Sequence, residues 1–496
     1  MAHFMKLFSC LLFVFCSLFT NAQQNNKQLP KMSASILRDD MTLLKKILEA
    51  NHPSLYWHTS KEKMDLIFDS LYHSVPDSLD EIGFRNHLAV WISSIKCGHT
   101  VSLFSKFLIK NINQYRYPKL PLQLKVWGDT MVVIGNAFQK DSLLKRGTII
   151  QSINGKNTAA ITADLFKLIS TDGNAINHKY QVLSNNFSDW YKQYYGVDST
   201  YRIQYFDSSG GLQETIIHNF ELPKKTSPKS VATPNAAQPL SKRALLQLSR
   251  RSLQIDTSNA TAYMRLTTFS KGSLKKFFRR SFRSIEKFNI SHLIIDLREN
   301  GGGKVDNCIN LTKYLIKHPF KVGDTVVATS RKFEYSRYIS PSFIYWIAMN
   351  FSGSKAADGS IHYRRYERHY FKPKAKHHFN GSLYLLQGGY TFSAATMFIA
   401  SLKGQENVQL VGEETGGGYY GNSAMHIPLI ELPNSKLRVS LPMYRLVMDK
   451  NRPKGNGIIP DIFIPPSSIA IKGGIDKKMA VVNDLIKIEK EKSFHL

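Results

Sequence analysis

Two segments of the sequence place glycines between an apolar, strand-like stretch and a helix-like stretch. In the first, Asp296–Gly303 (DLRENGGG), three consecutive glycines follow the apolar run that begins at His292. Such a junction leaves backbone N–H groups bare at the positive end of a helix, which suits an anion or a developing oxyanion. A tight turn with unusual backbone angles is the alternative that any glycine run allows.

The second segment, Gln387–Ala395 (QGGYTFSAA), has the same arrangement and adds a hydroxyl group. Ser393 is predicted at the first turn of the following helix, where the helix terminus favours negative charge near its Oγ. The same position suits an ordinary N-cap serine. Taken alone, this segment favours the N-cap interpretation. A catalytic role for Ser393 is therefore inferred only from the two segments together.

Together the two segments resemble the C-terminal processing peptidase (tail-specific protease) family of serine peptidases, whose motifs read D-L-R-x-N-G-G-G and T-x-S-A-A. The resemblance extends to Val411–Gly418 (VGEETGGG) and to Gly457–Asp461 (GIIPD). It implies an α/β catalytic domain of the ClpP/crotonase-like type with Ser393 as the nucleophile. It also implies an oxyanion hole made by the backbone N–H groups of Gly302 and Ala394.

The general base is predicted to be a histidine. Processing peptidases proper carry a lysine in the segment that matches Val411–Gly418, but this sequence has Gly418 at that position. The nearest lysine, Lys403, lies in the nucleophile's own helix. The sequence is closer to the tricorn-core-like branch, whose base is a histidine that follows the N-terminal helices. His99, in the segment CGHT, matches that position.

The third catalytic residue is left unknown. A triad normally needs a group that holds the imidazole tautomer, and Lys454 occupies the position of the glutamate that the tricorn-like branch has there. Glu413, Glu414 and Asp449 are open as substitutes. The family's glutamate three residues after the serine is Thr396 here. These departures keep an alternative open: a catalytically inactive relative that binds peptides or other ligands.

No cofactor or metal is predicted. The sequence has no CxxC, no HExxH and no Cys/His cluster, which argues against structural or catalytic zinc, and no GxxxxGK[ST] loop for a nucleotide. Cys97 and Cys308 are the cysteines that follow the N-terminal segment. Whether they form a disulfide stays open, because spacing alone does not show that two thiols meet.

The N-terminus predicts export. Lys6 precedes an apolar run from Leu7 to Phe19, and the small residue Ala22 ends the segment. These features are typical of a cleaved signal peptide over residues 1–22, and the run is shorter than the about 20 apolar residues of a membrane span. The expected location is periplasmic or extracellular, without stable membrane insertion.

The composition is that of a large, basic, globular chain. The 496 residues include 66 Lys+Arg and 37 Asp+Glu, a formal net charge of +29, and 43% are hydrophobic. This content excludes a largely disordered chain, and four cysteines exclude a disulfide-stapled miniprotein. Basic residues concentrate at 275–287 and 363–378, the second run within an insert at 335–380 of open role. Because no nucleic-acid module accompanies them, we interpret them as solvated helix faces, and expect polypeptide partners rather than nucleic acid.

The pattern along the chain predicts a multidomain protein. Apolar residues at helical spacing predict three helices before His99. Arg146–Gly155, a strand with an Asn-Gly turn, resembles PDZ domains of exported proteases, an unrelated small β domain being the alternative. The predicted parts are a signal peptide (1–22), an N-terminal helical domain (30–115), a PDZ-like domain (117–222) with one helix at Ala160–Ile169, a linker (223–245), an α/β peptidase core (246–470) and a C-terminal helical tail (471–496).

The combined prediction is an exported serine-type peptidase. It would hydrolyse peptide bonds of unfolded or C-terminally exposed proteins by a Ser-His mechanism with a backbone oxyanion hole. Its oligomeric state and cleavage preference are left open.

Overall fold

The computed structural model describes residues 29–111, 118–221 and 241–494. The predicted signal peptide (1–22) lies outside these ranges. So does most of the predicted linker (223–245), whose last residues, from Lys242 onward, are helical. Within the described ranges, no helix is long and apolar enough to cross a membrane.

The first described segment, 29–111, is mainly helical. Its elements are β1 (Met32–Ser33), α1 (Ala34–Asn51), α2 (Lys61–His73), β2 (Ser78–Leu79), α3 (Glu81–Ser94), β3 (Ser102–Leu103) and α4 (Lys106–Asn111). Helix α3 begins at a capped end, since the Gly83 N–H donates to Asp80 Oδ1 at 2.8 Å. Buried side chains such as Leu44 and Trp91 form one continuous core with the third segment. The helices are therefore docked on the rest of the protein rather than independent of it.

The second segment, 118–221, has its own hydrophobic core. Its elements are β4 (Leu122–Trp127), β5 (Thr130–Asn136), β6 (Ile149–Ile153), β7 (Lys156–Asn157), α5 (Thr158–Phe166), α6 (Ile176–Asn185), α7 (Phe187–Tyr195), β8 (Thr200–Phe206) and β9 (Leu212–His218). The strands form a sheet in the order β4-β5-β6-β8-β9, with β7 paired to β6. The sequence predicted a single helix between β6 and β8, and this was wrong, because α6 and α7 follow α5. Helix α7 is rich in aromatic residues, which favour strands on propensity alone, but its buried face fixes it as a helix.

The third segment, 241–494, contains three sheets. Its strands are β10 (Arg251–Asp256), β11 (Thr261–Leu266), β12 (His292–Asp296), β13 (Thr325–Ala328), β14 (Ile339–Ser340), β15 (Ser354–Lys355), β16 (Ile361–His362), β17 (Ser382–Gln387), β18 (Val408–Gly412), β19 (Gly421–Ala424), β20 (Leu429–Glu431), β21 (Arg438–Ser440), β22 (Tyr444–Val447) and β23 (Ile462–Phe463). Its helices are α8 (Lys242–Arg250), α9 (Leu274–Lys287), α10 (Val305–Thr312), α11 (Ser342–Ser352), α12 (Arg364–Arg368), α13 (Ala394–Leu402), α14 (Ser468–Gly473) and α15 (Lys477–Phe494), with a 3₁₀ turn at Ser336–Tyr338.

The main sheet of this segment positions the candidate site. Its strands run in the order β10-β11-β12-β17-β18-β23, and all neighbours are parallel except β10 and β11. Helix α15 covers one face through Val482 and Ile486, and α9, α10 and α13 contribute to the core on the other. A parallel sheet covered on both faces brings the carboxyl ends of β12 and β17 to one edge, where such folds place their sites.

A second sheet has the order β15-β16-β13-β22-β19, and a third has the order β14-β20-β21-β3. The third sheet joins the first segment to the core, because β3 pairs with β21 and brings Ser102 opposite Val439. The chain just before β3 is therefore held at a fixed place on the core.

The basic run at 275–287 lies on helix α9. Its apolar residues, including Phe278 and Phe282, face the core, while Lys276, Arg279 and Arg283 are exposed. This arrangement agrees with a solvated helix face.

We expect Phe398→Ala to destabilise the fold strongly. Phe398 is fully buried in α13, so truncation removes apolar contacts and leaves a cavity, at a cost of about 3–5 kcal/mol in the free energy of unfolding. Chemical denaturation measures the change. Phe351→Ala is the matched control, since that ring is 89% exposed and its truncation should cost less than about 0.5 kcal/mol. Equal effects of the two substitutions would contradict this assignment of the core.

Candidate active site

Ser393 lies at a sharp turn between β17 and α13. Its backbone has φ 54° and ψ −123°, a conformation that residues other than glycine seldom adopt and that tends to occur at functional sites. A serine on a strained strand-to-helix turn presents its Oγ outward at the edge of the sheet. Thr391 holds the turn, because its hydroxyl accepts from the Gly388 N–H at 3.0 Å and donates to Leu297 O at 2.9 Å. That second bond links the two glycine junctions.

The first glycine junction approaches Ser393 directly. The Phe392 N–H donates to Asn300 O at 3.0 Å, which brings Gly302 against the nucleophile turn. A Cβ on Gly302 would lie 2.7 Å from the Ser393 Cβ and 2.9 Å from the Ala394 nitrogen. Gly302 also has φ 93°, so both space and backbone conformation require glycine here.

The two predicted oxyanion donors, the N–H groups of Ala394 and Gly302, differ in whether they already have a hydrogen-bond partner. Ala394 is the first residue of α13, and a backbone N–H in the first turn of a helix has no intrahelical partner. The Gly302 N–H, in contrast, donates to Asn300 Oδ1 at 2.9 Å. In this arrangement the Gly302 N–H is engaged by the side chain of Asn300, two residues earlier, and its role as an oxyanion donor stays a prediction.

His99 meets Ser393, as the sequence predicts. Its Nε2 lies 3.0 Å from Ser393 Oγ, and its ring packs on Phe392 with centroids 4.7 Å apart. The segment is held by Ser440, whose hydroxyl donates to His99 O at 2.7 Å and accepts from the Val101 N–H at 3.0 Å. The pairing of β3 with β21 thus delivers the histidine from the first segment to a serine in the third.

An aspartate that the sequence analysis missed completes the cluster. Asp172 lies between α5 and α6 in the second segment, and its Oδ1 is 4.0 Å from His99 Nδ1. This separation is too long for a hydrogen bond, so the carboxylate lies near the ring nitrogen without bonding to it. Asp172 accepts from the Gly98 N–H at 2.8 Å and from the Gly418 N–H at 3.4 Å. Gly418, which takes the place of a lysine in relatives, therefore serves here to hold the carboxylate.

The substitutes that the sequence left open for the third residue have other partners. Glu414 Oε1 accepts from the Gly457 N–H at 2.7 Å, and Lys454 Nζ donates to Trp57 O at 2.7 Å. Glu413 forms an ion pair with Lys478, and Asp449 forms an ion pair with Arg452. Within the described part of the chain, none of these four residues forms a hydrogen bond or an ion pair with His99, so the structure does not bring them to the histidine.

Lys403 and Thr396 are likewise occupied. Lys403 Nζ donates to Asp461 Oδ1 at 2.9 Å and to Ile459 O at 3.1 Å. Thr396, which replaces the family's glutamate, donates to Thr391 O at 3.0 Å and so supports the nucleophile turn.

Burial sets the charge state of the cluster. It lowers the pKa of His99 to about 4, with a smaller lowering from nearby His178, because the imidazolium form is poorly solvated there. Burial also raises the pKa of Asp172 to about 7, against the lowering effect of its two backbone N–H donors. His99 is therefore neutral at neutral pH and able to accept a proton.

The two cysteines are free, which answers the question that the sequence left open. Cys97 and Cys308 are both buried and unpaired. Cys97 lies beside the candidate site, where its Sγ, an imidazole nitrogen of His99 and a carboxylate oxygen of Asp172 are all within 4.8 Å of one another. Within the described ranges, these three residues could together hold a metal ion. Sequence spacing did not show this because Asp172 comes from another segment.

Residues 260–464 match the model of peptidase family S41. The α/β core belongs to peptidase family S41. The family match identifies it as the domain of a serine-type peptidase, as the sequence motifs predict. No curated protein sequence matches the chain.

Solved structures with the same fold include mature CPAF. In complex with lactacystin, CPAF is 13% identical, with a TM-score of 0.63, 92% of this chain and 99% of that chain being covered. A second structure of mature CPAF is 13% identical, with a TM-score of 0.62 and coverage of 92% and 98%. The photosystem II D1 C-terminal processing protease is 14% identical, with a TM-score of 0.41 and coverage of 87% and 94%. The likeness to CPAF establishes a mixed α/β, multi-sheet fold over nearly the whole chain.

Proposed function

We propose that the protein is a peptidase that hydrolyses peptide bonds through Ser393 and His99. The observation that carries this proposal is the 3.0 Å distance between His99 Nε2 and Ser393 Oγ. It joins a neutral, buried imidazole to a serine held on a strained turn. A serine hydroxyl is a weak nucleophile until an adjacent base accepts its proton, and this pair meets that requirement.

The reaction follows from the positions of the groups. His99 Nε2 accepts the hydroxyl proton while Ser393 Oγ attacks the peptide carbonyl carbon, and the carbonyl oxygen becomes an oxyanion beside the Ala394 N–H. His99 then gives the proton to the departing amine, which leaves an acyl group on Ser393. Water, deprotonated by the same imidazole, attacks the ester and releases the second product. Asp172, 4.0 Å from Nδ1, favours the imidazolium that forms in each step and acts as a positioning residue.

The proposal extends to substrate and location. Unfolded or C-terminally exposed polypeptides are the proposed substrates, because the sequence resembles tail-specific proteases and the second segment resembles a PDZ-like peptide binder. The N-terminal residues 1–22 support export to the periplasm or the cell exterior.

A catalytically inactive relative that binds peptides is the second candidate. Two observations favour it. The Gly302 N–H is engaged by Asn300 at 2.9 Å, and Asp172 stops short of hydrogen-bond distance to His99. Catalytic hydrogen bonds are often long before substrate binds and tighten in the complex. The 4.0 Å separation is therefore compatible with both the peptidase and the inactive relative, and an experiment must separate them.

A fluorophosphonate probe separates the two candidates. We expect the probe to label the purified protein at Ser393, read by peptide mass spectrometry, and Ser393→Ala to abolish the label. Ser401→Ala is the matched control, because that serine lies in the same helix with its hydroxyl donating to Met397 O at 2.9 Å. Labelling of the control should equal that of the unaltered chain. A folded protein that resists the probe but retains a bound peptide would support the inactive relative.

A further inference from the structure

Three ligand-type atoms gather on the side of His99 that faces away from Ser393. They belong to Cys97, His99 and Asp172, and all lie within 4.8 Å of one another. Because His99 Nε2 contacts the serine, the second ring nitrogen, Nδ1, faces this cluster. Cys97 is 4% exposed and Asp172 3%, so the cluster is enclosed by protein.

The Nδ1 atom of His99 is buried and has no hydrogen-bond partner among the described residues. Buried polar atoms are nearly always paired, so an orphan of this kind calls for an explanation. The nearest carboxylate oxygen stops at 4.0 Å. The Asp172 carboxylate accepts hydrogen bonds from the backbone N–H groups of Gly98 and Gly418. Carboxylates that bind metals are commonly held in place by such hydrogen bonds.

A thiolate, an imidazole and a carboxylate form a ligand set that zinc prefers. Burial raises the pKa of the Cys97 thiol to about 12, so zinc binding converts it to the thiolate and releases its proton to solvent. Zinc lies about 2.3 Å from sulfur and about 2.0–2.2 Å from nitrogen or oxygen, in a tetrahedron that places ligand atoms roughly 3.3–3.7 Å apart. The largest separation here, within 4.8 Å, therefore needs a contraction of about 1 Å. Rotation of the Cys97 side chain can supply most of it, because the carboxylate oxygen is already 4.0 Å from the imidazole nitrogen, and water can take the fourth position.

We propose that Cys97, His99 and Asp172 form an inhibitory zinc site behind the catalytic histidine. A cation on Nδ1 leaves the hydrogen of the neutral ring on Nε2. An Nε2–H cannot accept the proton of Ser393 Oγ, so zinc binding removes the base without touching the serine. The inhibitory effect rests on the proposed peptidase function, whereas the binding of zinc does not.

The test measures binding and inhibition separately. Equilibrium dialysis of the metal-free protein should find one high-affinity Zn²⁺ per chain, and Co²⁺ in its place should give a thiolate-to-cobalt charge-transfer absorption. The rate of fluorophosphonate labelling at Ser393 should fall as Zn²⁺ is added and recover with EDTA. Cys97→Ser should weaken Zn²⁺ binding by at least about tenfold and abolish the cobalt–thiolate band. Each inhibition curve is scaled to that variant's own metal-free rate.

Cys308→Ser is the matched control, because Cys308 is the other buried free thiol and lies in α10. It should leave zinc affinity and the cobalt band unchanged. If Cys97→Ser keeps the same zinc affinity as Cys308→Ser, or if Co²⁺ shows no thiolate band in the unaltered chain, the site is not the one proposed. The cobalt spectrum is measured on the unaltered chain, so it tests the proposal even if the Cys97→Ser variant fails to fold. Zinc binding with a thiolate band in a protein that resists the probe would uphold the site and contradict the peptidase function.

Discussion

The His99→Ala variant is expected to lose peptidase activity by a factor on the order of 10⁴, because the members of a Ser-His unit act together. His99 Nε2 is the partner of Ser393 Oγ at 3.0 Å, and without the imidazole no other hydrogen-bond partner among residues 29–111, 118–221 and 241–494 remains to accept the hydroxyl proton. The measurement is kcat/KM on an unfolded, fluorescently labelled casein, with EDTA present. The circular dichroism spectrum checks that the variant is folded.

Lys403→Ala provides the control for a lysine base. Lys403 lies just after the nucleophile's helix but bonds to Asp461 and Ile459, so its removal should leave most of the activity. The outcome that contradicts the assignment is a folded His99→Ala protein with near-normal kcat/KM. A loss in Lys403→Ala as large as that in His99→Ala would point to a lysine base instead.

Local sequence could predict the candidate nucleophile and the candidate base because each lies in a motif that also fixes its own backbone. The strand-glycine-helix junctions around Gly302 and Ser393 are continuous in sequence, and the parallel pairing of β12 with β17 places them side by side. His99 comes from the other end of the chain, yet its motif identified it. What sequence did not show is how it reaches the core, which depends on the pairing of β3 with β21.

Asp172 could not be predicted for the opposite reason. It lies in an irregular connection between α5 and α6, in a segment that the sequence analysis treated as a separate peptide-binding domain. Its place is fixed by long-range contacts that leave no local pattern: the Gly173 N–H donates to Lys96 O at 2.9 Å, and Ser170 Oγ donates to Thr100 O at 2.9 Å. The hydrogen bond from the Gly302 N–H to Asn300 Oδ1 could not be predicted either, since it depends on the direction of the Asn300 side chain.

The candidate site is assembled from all three described segments. His99 belongs to the helical segment, Asp172 to the β-rich segment and Ser393 to the α/β core. His178, in α6, donates from Nδ1 to Gly389 O at 2.9 Å and stacks on Phe392 with centroids 4.7 Å apart. The β-rich segment therefore contacts the nucleophile turn as well as supplying the carboxylate. Activity on any substrate, long or short, should depend on this segment being docked.

For the carboxylate itself, we expect Asp172→Asn to lower kcat by a factor on the order of 10³–10⁴, because a neutral amide does not stabilise the imidazolium that forms beside it. The acidic limb of kcat/KM should also move. His99 and Asp172 lie 4.0 Å apart and titrate as a pair in two steps. The reaction needs the state in which His99 and Asp172 have both lost their protons. The deprotonation step with the higher pKa therefore sets the acidic limb of kcat/KM.

The direction of that movement follows from the two buried groups. Asp172, whose pKa burial raises to about 7, places the later step near neutral pH in the unaltered chain. In Asp172→Asn only His99 titrates, and burial lowers its pKa to about 4. The neighbouring His178, whose pKa burial also lowers to about 4, is neutral near pH 7 and so does not set the limb of the unaltered chain. The acidic limb should therefore shift to lower pH while the plateau falls.

The pH profile separates a positioning role from a structural one. A substitution that merely loosened the fold would lower the plateau without moving the limb toward acid. Asp449→Asn is the matched control, because that carboxylate pairs with Arg452 at 3.2 Å and should keep both the plateau and the limb of the unaltered chain. EDTA in every assay keeps zinc from the cluster. A normal plateau in the Asp172→Asn protein would remove Asp172 from the mechanism. A lowered plateau with an unmoved acidic limb would assign Asp172 to packing, because the limb reports a proton that the aspartate can hold and the asparagine cannot.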